Sequence, residues 1–323
     1  MNVLVTGGTG FVGSHLVEQL AERGDRVTAL VRSPSKAGLL SRLGVRIVSG
    51  DLHNSAALKD ATAGQDVIYH VAGVIAARSE AEFLRGNRDG TAALLAAAAE
   101  SGAPHFVLVS SLAAVGPARP GQPARDDEVP HPVTQYGRSK LGAEQLVQAG
   151  PLPWTIVRPP TVYGPRDAEV LKIFKLARAG IAPVFGDGSQ ELSLVYGPDL
   201  AAALIAATTS GPSVHKRIFC ACHPEIVTSA ELVRAVGRAM GRKVRLIPIP
   251  PAIGRGVLTI TGTAAKLAGK ATILTADKAN EFFQPAWTGD PGPFIEATGW
   301  RAAHDVEAGL AETYRWYRQS GWL

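Results

Sequence analysis

The stretch Val3-Leu4-Val5-Thr6-Gly7-Gly8-Thr9-Gly10-Phe11-Val12-Gly13 limits what this chain can fold into more than any other segment. A short apolar run enters a glycine-rich turn. The residues after it, His15 to Arg23, put Leu16, Val17 and Leu20 on one helical face before Gly24 stops the helix. A glycine triplet alone carries little information, but strand, glycine turn and helix in that order are the context a dinucleotide site requires. Gly7, Gly10 and Gly13 let backbone approach a pyrophosphate. The helix start supplies free N–H groups and the positive end of a dipole.

The rest of the chain extends that beginning. Short β-rich runs at Asn2–Thr6, Arg26–Val31, Val45–Ser49, Asp66–Val71, His105–Ser110 and Trp154–Arg158 alternate with helical patterns, clearest at 81–101 and 134–149. Such alternation predicts an α/β fold: a Rossmann-type, doubly wound parallel sheet with ligand at the C-terminal strand ends. The dinucleotide-binding domain is expected over 1–160, with a helix near 200–208 and a strand at Arg217–Cys222 returning to it from about 190–225. Residues 161–189 and 226–323 are expected to form a smaller C-terminal substrate lobe of helices and irregular segments. Pro117 to Pro132 reads as an exposed loop beside the site.

Composition narrows the function classes. Hydrophobic residues make up 46% and charged residues 19%, an ordinary globular balance, and 323 residues provide a substantial core. The net charge of +5 is mild and spread out, which argues against a nucleic-acid partner. The most apolar late stretch, Leu246 to Gly269, is interrupted by Pro248, Pro250, Pro251, Arg255 and Lys266. It is a poor transmembrane segment, but could lie against a lipid surface or a greasy substrate. Two cysteines, Cys220 and Cys222, cannot form a disulfide framework, and with no apparent leader the expected location is the cytoplasm. Cys220-Ala221-Cys222-His223 falls short of a closed zinc set, so no metal is expected.

The second informative constellation is Tyr136-Gly137-Arg138-Ser139-Lys140. A spacing of four on a helix puts phenol and ammonium on one face. A free tyrosine titrates near 10, too high for proton transfer at neutral pH; a neighbouring cation is expected to lower it. The lysine can also hydrogen-bond a cofactor ribose.

On these motifs the chain resembles an extended short-chain dehydrogenase/reductase of the NAD(P)-dependent epimerase/dehydratase superfamily. The resemblance spans nearly the whole length and also rests on Gly50-Asp51-Leu52, His70-Val71-Ala72-Gly73, Asn87-Arg88-Asp89-Gly90-Thr91, Val109-Ser110-Ser111 and Arg158-Pro159-Pro160-Thr161-Val162-Tyr163-Gly164-Pro165. It implies Tyr136 as general acid/base, Lys140 as its electrostatic partner and Ser111 as the hydrogen-bond donor to the reacting oxygen, with Ser110 the alternative. The implied cofactor contacts are Gly7, Thr9, Gly10, Phe11, Val12 and Gly13 at the turn, and Asp51 and Leu52 at the adenine. Val71, Ala72 and Gly73 follow along its middle, with Ser110, Tyr136, Lys140 and Pro159 nearby. Asn87 is implied to order backbone near the active site, and a homodimer through helices such as 92–101 and 134–149 follows from relatives.

Cofactor choice is read at the end of the second strand. NAD enzymes place an acidic residue there to bind the ribose hydroxyls. This chain has Ala29-Leu30-Val31-Arg32-Ser33, and Arg32, helped by Lys36, suits a 2′-phosphate. NADP is favoured, with NAD the alternative.

Three departures bear on the substrate. Thr161 stands where many nucleotide-sugar relatives carry Asn; Glu191 stands where they carry Arg; and Leu112-Ala113 replaces the acidic pair of dehydratases. The leading expectation is hydride transfer between nicotinamide and a carbonyl or secondary alcohol of an apolar small molecule, with Ile249–Leu274 as a greasy lid. A sugar or nucleotide-sugar epimerase or dehydratase is the runner-up. A cofactor-sensing protein without catalysis is the third reading, disfavoured by the intact Ser111, Tyr136 and Lys140.

Overall fold

The computed structural model describes residues 1–102 and 104–323. Its centre is a seven-stranded parallel sheet. β1 (Asn2–Thr6), β2 (Arg26–Val31), β3 (Arg46–Ser49), β4 (Val67–His70), β5 (His105–Val109) and β6 (Trp154–Arg158) supply six of the strands. β7 (Thr161–Tyr163), β8 (Ile181–Phe185) and β9 (Glu191–Tyr196) lie outside it, and β10 (Arg217–Cys220) returns to its edge, as the sequence led us to expect. The order is β10-β6-β5-β4-β1-β2-β3. The chain reverses direction across the sheet between β1 and β4, so a crevice opens beyond their C-terminal ends.

Strand periodicity explains why both faces are covered. Val3 and Val5 project into a cluster with Leu16, Val17 and Leu20 of the helix Phe11–Glu22 and with Leu200 and Leu204 of the helix Gly197–Thr209. Leu4 points the other way, to Ile68, Leu94, Phe106, Ala143 and Ile156. All of these side chains are buried, so each central strand is apolar on both faces.

Several boundaries differ from the sequence reading. The first helix begins at Phe11, not near His15, because Gly10 is already in the extended conformation of an N-cap. The segment expected as one helix over 81–101 runs from Glu80 to Glu100 but contains a π-helical stretch at Leu84–Asp89, which periodicity alone does not reveal. The helix expected over 134–149 is Gln135–Ala149, with the Thr134 hydroxyl capping the Gly137 amide at 3.1 Å.

The part from Ile226 onward holds more strand than expected. β11 (Ile226–Thr228) and β13 (Ala286–Trp287) flank β9, and β12 (Arg245–Ile249) pairs in parallel with β8. Helices at Ser229–Ala239, Pro251–Leu267, Ala276–Phe282, Gly292–Thr298 and Val306–Gln319 complete it. No helix among the described residues is long and apolar enough to cross a membrane.

Candidate active site

The glycine turn is built by close approach. Gly7 has φ +76°, a left-handed conformation that favours glycine, and a Cβ there would stand 2.7 Å from the Ala72 nitrogen. A Cβ on Gly13 would stand 2.2 Å from the Gly7 carbonyl oxygen, so the helix can sit against the turn only without one. Gly10 closes the turn by donating its N–H to the Gly7 carbonyl at 2.9 Å. The helix that starts there has no side-chain cap and no acidic residue in its first turn. Its leading amides therefore remain available to an anion, beside a backbone whose only side chain between Gly7 and Gly10 is the exposed Thr9, and the residues present fit a dinucleotide pyrophosphate.

The other expected cofactor positions lie at the strand ends around this turn. Thr9 is exposed; Val12 packs into the core beneath it; the Phe11 ring meets His15 edge-on at 5.8 Å, leaving backbone rather than ring at the turn. The Val71 and Ala72 amides are tied to Thr6. Asp51 lies beyond β3, exposed, accepting from the His53 amide at 2.9 Å, and Leu52 packs over Gly90. Arg32 follows β2 directly, exposed and without a hydrogen-bond or ion-pair partner among the described residues.

Asn87, from the π-helical stretch, fixes the segment after Gly73. Its Oδ1 accepts from the Val74 amide at 2.7 Å, while its Nδ2 donates to the Val74 carbonyl at 3.0 Å and to Ser139 Oγ at 2.8 Å. That is the backbone-ordering role the resemblance implied. His70 is structural: its ring bridges Thr6 and Thr91 at 2.7 and 3.0 Å, and burial pushes it down to about 3, so it stays neutral.

Ser111, Tyr136 and Lys140 converge at the end of β5. Ser111 caps the short helix Leu112–Val115 by accepting from the Ala113 amide at 3.1 Å, and its hydroxyl acts on the Tyr136 phenol to lower its proton affinity. The phenol ring packs edge-on against Phe83, with centroids 6.1 Å apart. Lys140 Nζ donates to the Val109 carbonyl at 2.7 Å and lies beside Gly73.

One electrostatic expectation is corrected. The Tyr136 phenol is not lowered: burial pushes it up to about 12, opposed by the Ser111 hydrogen bond and reinforced by Glu281. Lys140 itself is pushed down to about 8 by burial, against the attraction of Glu144. Helical spacing correctly put the pair on one helix but could not see that the amine turns into a buried carbonyl.

Ser110 also differs from expectation. It is buried, and its hydroxyl donates to Glu144 Oε1 at 2.5 Å rather than facing the crevice. Glu144 is in turn held by a two-pronged ion pair from Arg158, at 2.9 and 2.7 Å, with both side chains almost wholly buried. Pro159 follows, its carbonyl accepting from the Leu112 amide at 3.0 Å. This network anchors the floor of the site.

A cavity of ≈ 220 Å³ opens against Tyr136. Ile75, Ala77 and Phe83 form one wall; Thr134 and Gln135 form its base; Thr259, Gly262, Thr263, Lys266 and Lys270 come from the helix Pro251–Leu267 and the turn after it. Ile273, Asp277 and Lys278 close it, and Asp277 accepts from the Gln135 amide at 3.0 Å. The expected lid is thus a helix at the cavity, but it presents its polar side. Its isoleucines and valine face out because the polar residues recur at 259, 263 and 266, a helical period that marks a separate face, with Lys270 following in the turn. That spacing was the available signal for these residues.

The remaining sequence markers fall elsewhere. Thr161 is exposed on β7, and Glu191 Oε2 accepts from the Gly121 amide at 2.8 Å, tying down the Pro-rich loop. Cys220 and Cys222 are buried, sulfurs 3.7 Å apart, and no cluster of metal ligands occurs among the described residues.

Residues 3–221 match the profile of the NAD dependent epimerase/dehydratase family. The chain is similar to the ceramide reductase of Caulobacter vibrioides, 35% identical over 99% of this chain and 96% of that protein. It is also similar to the UDP-glucose 4-epimerase of Vibrio cholerae, 25% identical over 99% and 96%. Among solved structures, MoeE5 in complex with UDP-glucose and NAD superposes with a TM-score of 0.77, at 26% identity over 99% of each chain.

Proposed function

The chain belongs to the NAD-dependent epimerase/dehydratase family, and within it we propose a reductase that uses NADPH to convert a ketone on an apolar small molecule into a secondary alcohol. The observation that carries this reading is geometric: the Tyr136 side chain lines a cavity with Ile75, Phe83 and Ile273 in its walls, and Ser111 and Lys140 stand at the same strand end. A ketone being reduced needs a proton donor at its oxygen; Tyr136 carries that proton at neutral pH, and efficient transfer calls for Lys140 to bring the phenol down from about 12 once the cofactor is bound.

The reduced nicotinamide supplies the hydride when bound. The chain's own residues do the rest. Ser111 Oγ and the Tyr136 hydroxyl direct donors at one carbonyl oxygen, where negative charge develops. Tyr136 gives up its proton to that oxygen. Lys140 supplies positive charge next to Gly73, on the path of the cofactor's middle, and Asn87 keeps the 73–74 backbone in place. Gly7, Gly10 and Gly13 with the leading amides of the helix Phe11–Glu22 would hold the pyrophosphate; Arg32, exposed and free, would meet a 2′-phosphate. Similarity to a ceramide reductase supports an apolar carbonyl substrate.

A second reading, a nucleotide-sugar epimerase, has one observation in its favour. Lys266 and Lys270 border the cavity with no acidic partner among the described residues, and would suit an anionic group. Purified protein separates the two. Titration with NADPH and NADH, followed by a panel of apolar ketones and UDP-sugars, should show tighter NADPH binding and net NADPH consumption with a ketone. Tight NADH binding, no net consumption and epimerised UDP-sugar would establish the second reading instead.

A further inference from the structure

The helix Pro251–Leu267 is packed on only one of its sides. Gly254 and Leu258 are buried, and Thr259, Gly262, Thr263 and Lys266 face the cavity. The third side carries Ile253, Val257, Ile260 and Leu267, a repeat at i, i+4, i+7 and i+14 that forms one stripe. These are among the most exposed large apolar side chains described, with Ile260 71% and Leu267 85% accessible. Ile75, 58% accessible, adds to them from across the cavity.

Charge is distributed unevenly along the chain. Residues 232–276 contain eight lysines and arginines and no aspartate or glutamate. The remainder of the chain, with 25 basic and 28 acidic side chains, is net negative. The positive balance of the protein therefore belongs to the segment that carries the exposed apolar stripe. Apolar residues on one side of a helix, carried by a net cationic segment, match the outer layer of an anionic bilayer, where the stripe enters the acyl boundary and the cations meet phosphates. A nucleic acid would leave the isoleucines in water. The helix also cannot span, since Pro250 and Pro251 begin it and it runs only to Leu267.

We propose that the Ile253–Leu267 stripe is a peripheral docking surface for an anionic lipid bilayer, placing the mouth of the Tyr136 cavity at the membrane. An apolar ketone would then reach the cavity from the lipid phase without crossing water. The proposal deepens the reading of an apolar substrate, but vesicle binding is measured without turnover, so either can fail alone.

The experiment is co-sedimentation of the full chain with vesicles of mixed phosphatidylglycerol and phosphatidylcholine, and with vesicles of phosphatidylcholine alone. Binding to the mixed vesicles should exceed binding to the neutral ones and weaken with added salt. The double variant Ile260→Glu/Leu267→Glu should lower partitioning about tenfold or more. Lys243→Glu/Arg245→Glu, at exposed positions before the helix, should lower binding to the anionic vesicles alone, with thermal unfolding unchanged in both variants. No partitioning of the unmodified chain, or equal partitioning of both double variants, overturns the proposal. So does light scattering that finds a dimer split by Ile260→Glu/Leu267→Glu with no vesicle binding, since a second copy would then cover the stripe.

Discussion

The two walls of the site are made differently. The side proposed for the cofactor is mostly backbone: a glycine-rich turn, helix amides and strand ends, contributed mainly by the first 73 residues and assembled by the sheet itself. The side proposed for the substrate is side chain: threonines, lysines and apolar residues from three segments between positions 75 and 278 line the cavity. Backbone recognition tolerates little substitution, because Gly7, Gly10 and Gly13 are each held against neighbouring main chain. Side-chain recognition leaves the frame intact when a residue changes. That contrast explains how one frame serves a ceramide reductase and a UDP-glucose 4-epimerase, both similar to this chain over 99% of its length.

The largest effect is expected where the two walls meet. Tyr136→Phe should lower turnover with a ketone by about a thousandfold while leaving NADPH affinity unchanged, read by steady-state kinetics beside a fluorescence titration. Gly13→Ala should destabilise the fold by about 1–3 kcal/mol and weaken both NADPH and NADH, because its methyl meets the Gly7 carbonyl. Thermal unfolding and titration check it; an alanine tolerated on both counts would break the backbone half of the comparison.

Arg32→Ala sharpens the cofactor side further. It should weaken NADPH about tenfold or more and leave NADH unaffected, since a charge-assisted contact to phosphate is lost. On the substrate wall, Thr263→Val should shift KM for a ketone by less than about tenfold with kcat and stability held, because a hydroxyl there touches substrate and not frame. If Thr263→Val unfolded the chain as Gly13→Ala is expected to, the distinction between the walls would be lost.

The smallest effect concerns pH. His70 is held near 3 in the folded state against an ordinary 6.5. Between those values the unfolded chain takes up a proton that the folded chain refuses, so stability falls as pH drops below 6.5. His15 and His105, also lowered, act in the same direction; Asp126 and Asp167, each raised to about 6, oppose it between 3.8 and 6. The contribution of His70 is therefore read as a difference. Denaturant melts of the unmodified chain and His70→Asn should diverge in slope by up to about 1.4 kcal/mol per pH unit, with the variant flatter.

The same contrast set what could be read from the chain. Gly7, Gly10 and Gly13 are local in sequence, and a strand before and a helix after them suffice to place them. Tyr136 and Lys140 were also local, one helical turn apart, but the direction of the Lys140 amine depends on Val109, 31 residues earlier. Ser110 was misjudged for the same reason: Glu144 and Arg158, which claim its hydroxyl, are remote in sequence. The apolar composition of Ile249–Leu274 predicts a greasy lid, yet composition does not say which side of a helix faces inward. Only the polar period at 259, 263 and 266 carried that information.

The central claim is that Tyr136 protonates an apolar ketone as it takes a hydride from NADPH. It is tested most directly with NADPH deuterated at the transferable position, the full chain and a long-chain ketone. The account predicts deuterium on the carbinol carbon of the product, one NADPH consumed per alcohol formed, and loss of both with Tyr136→Phe. Deuterium retained on the cofactor, no NADPH consumed and inversion at a UDP-sugar carbon would contradict it.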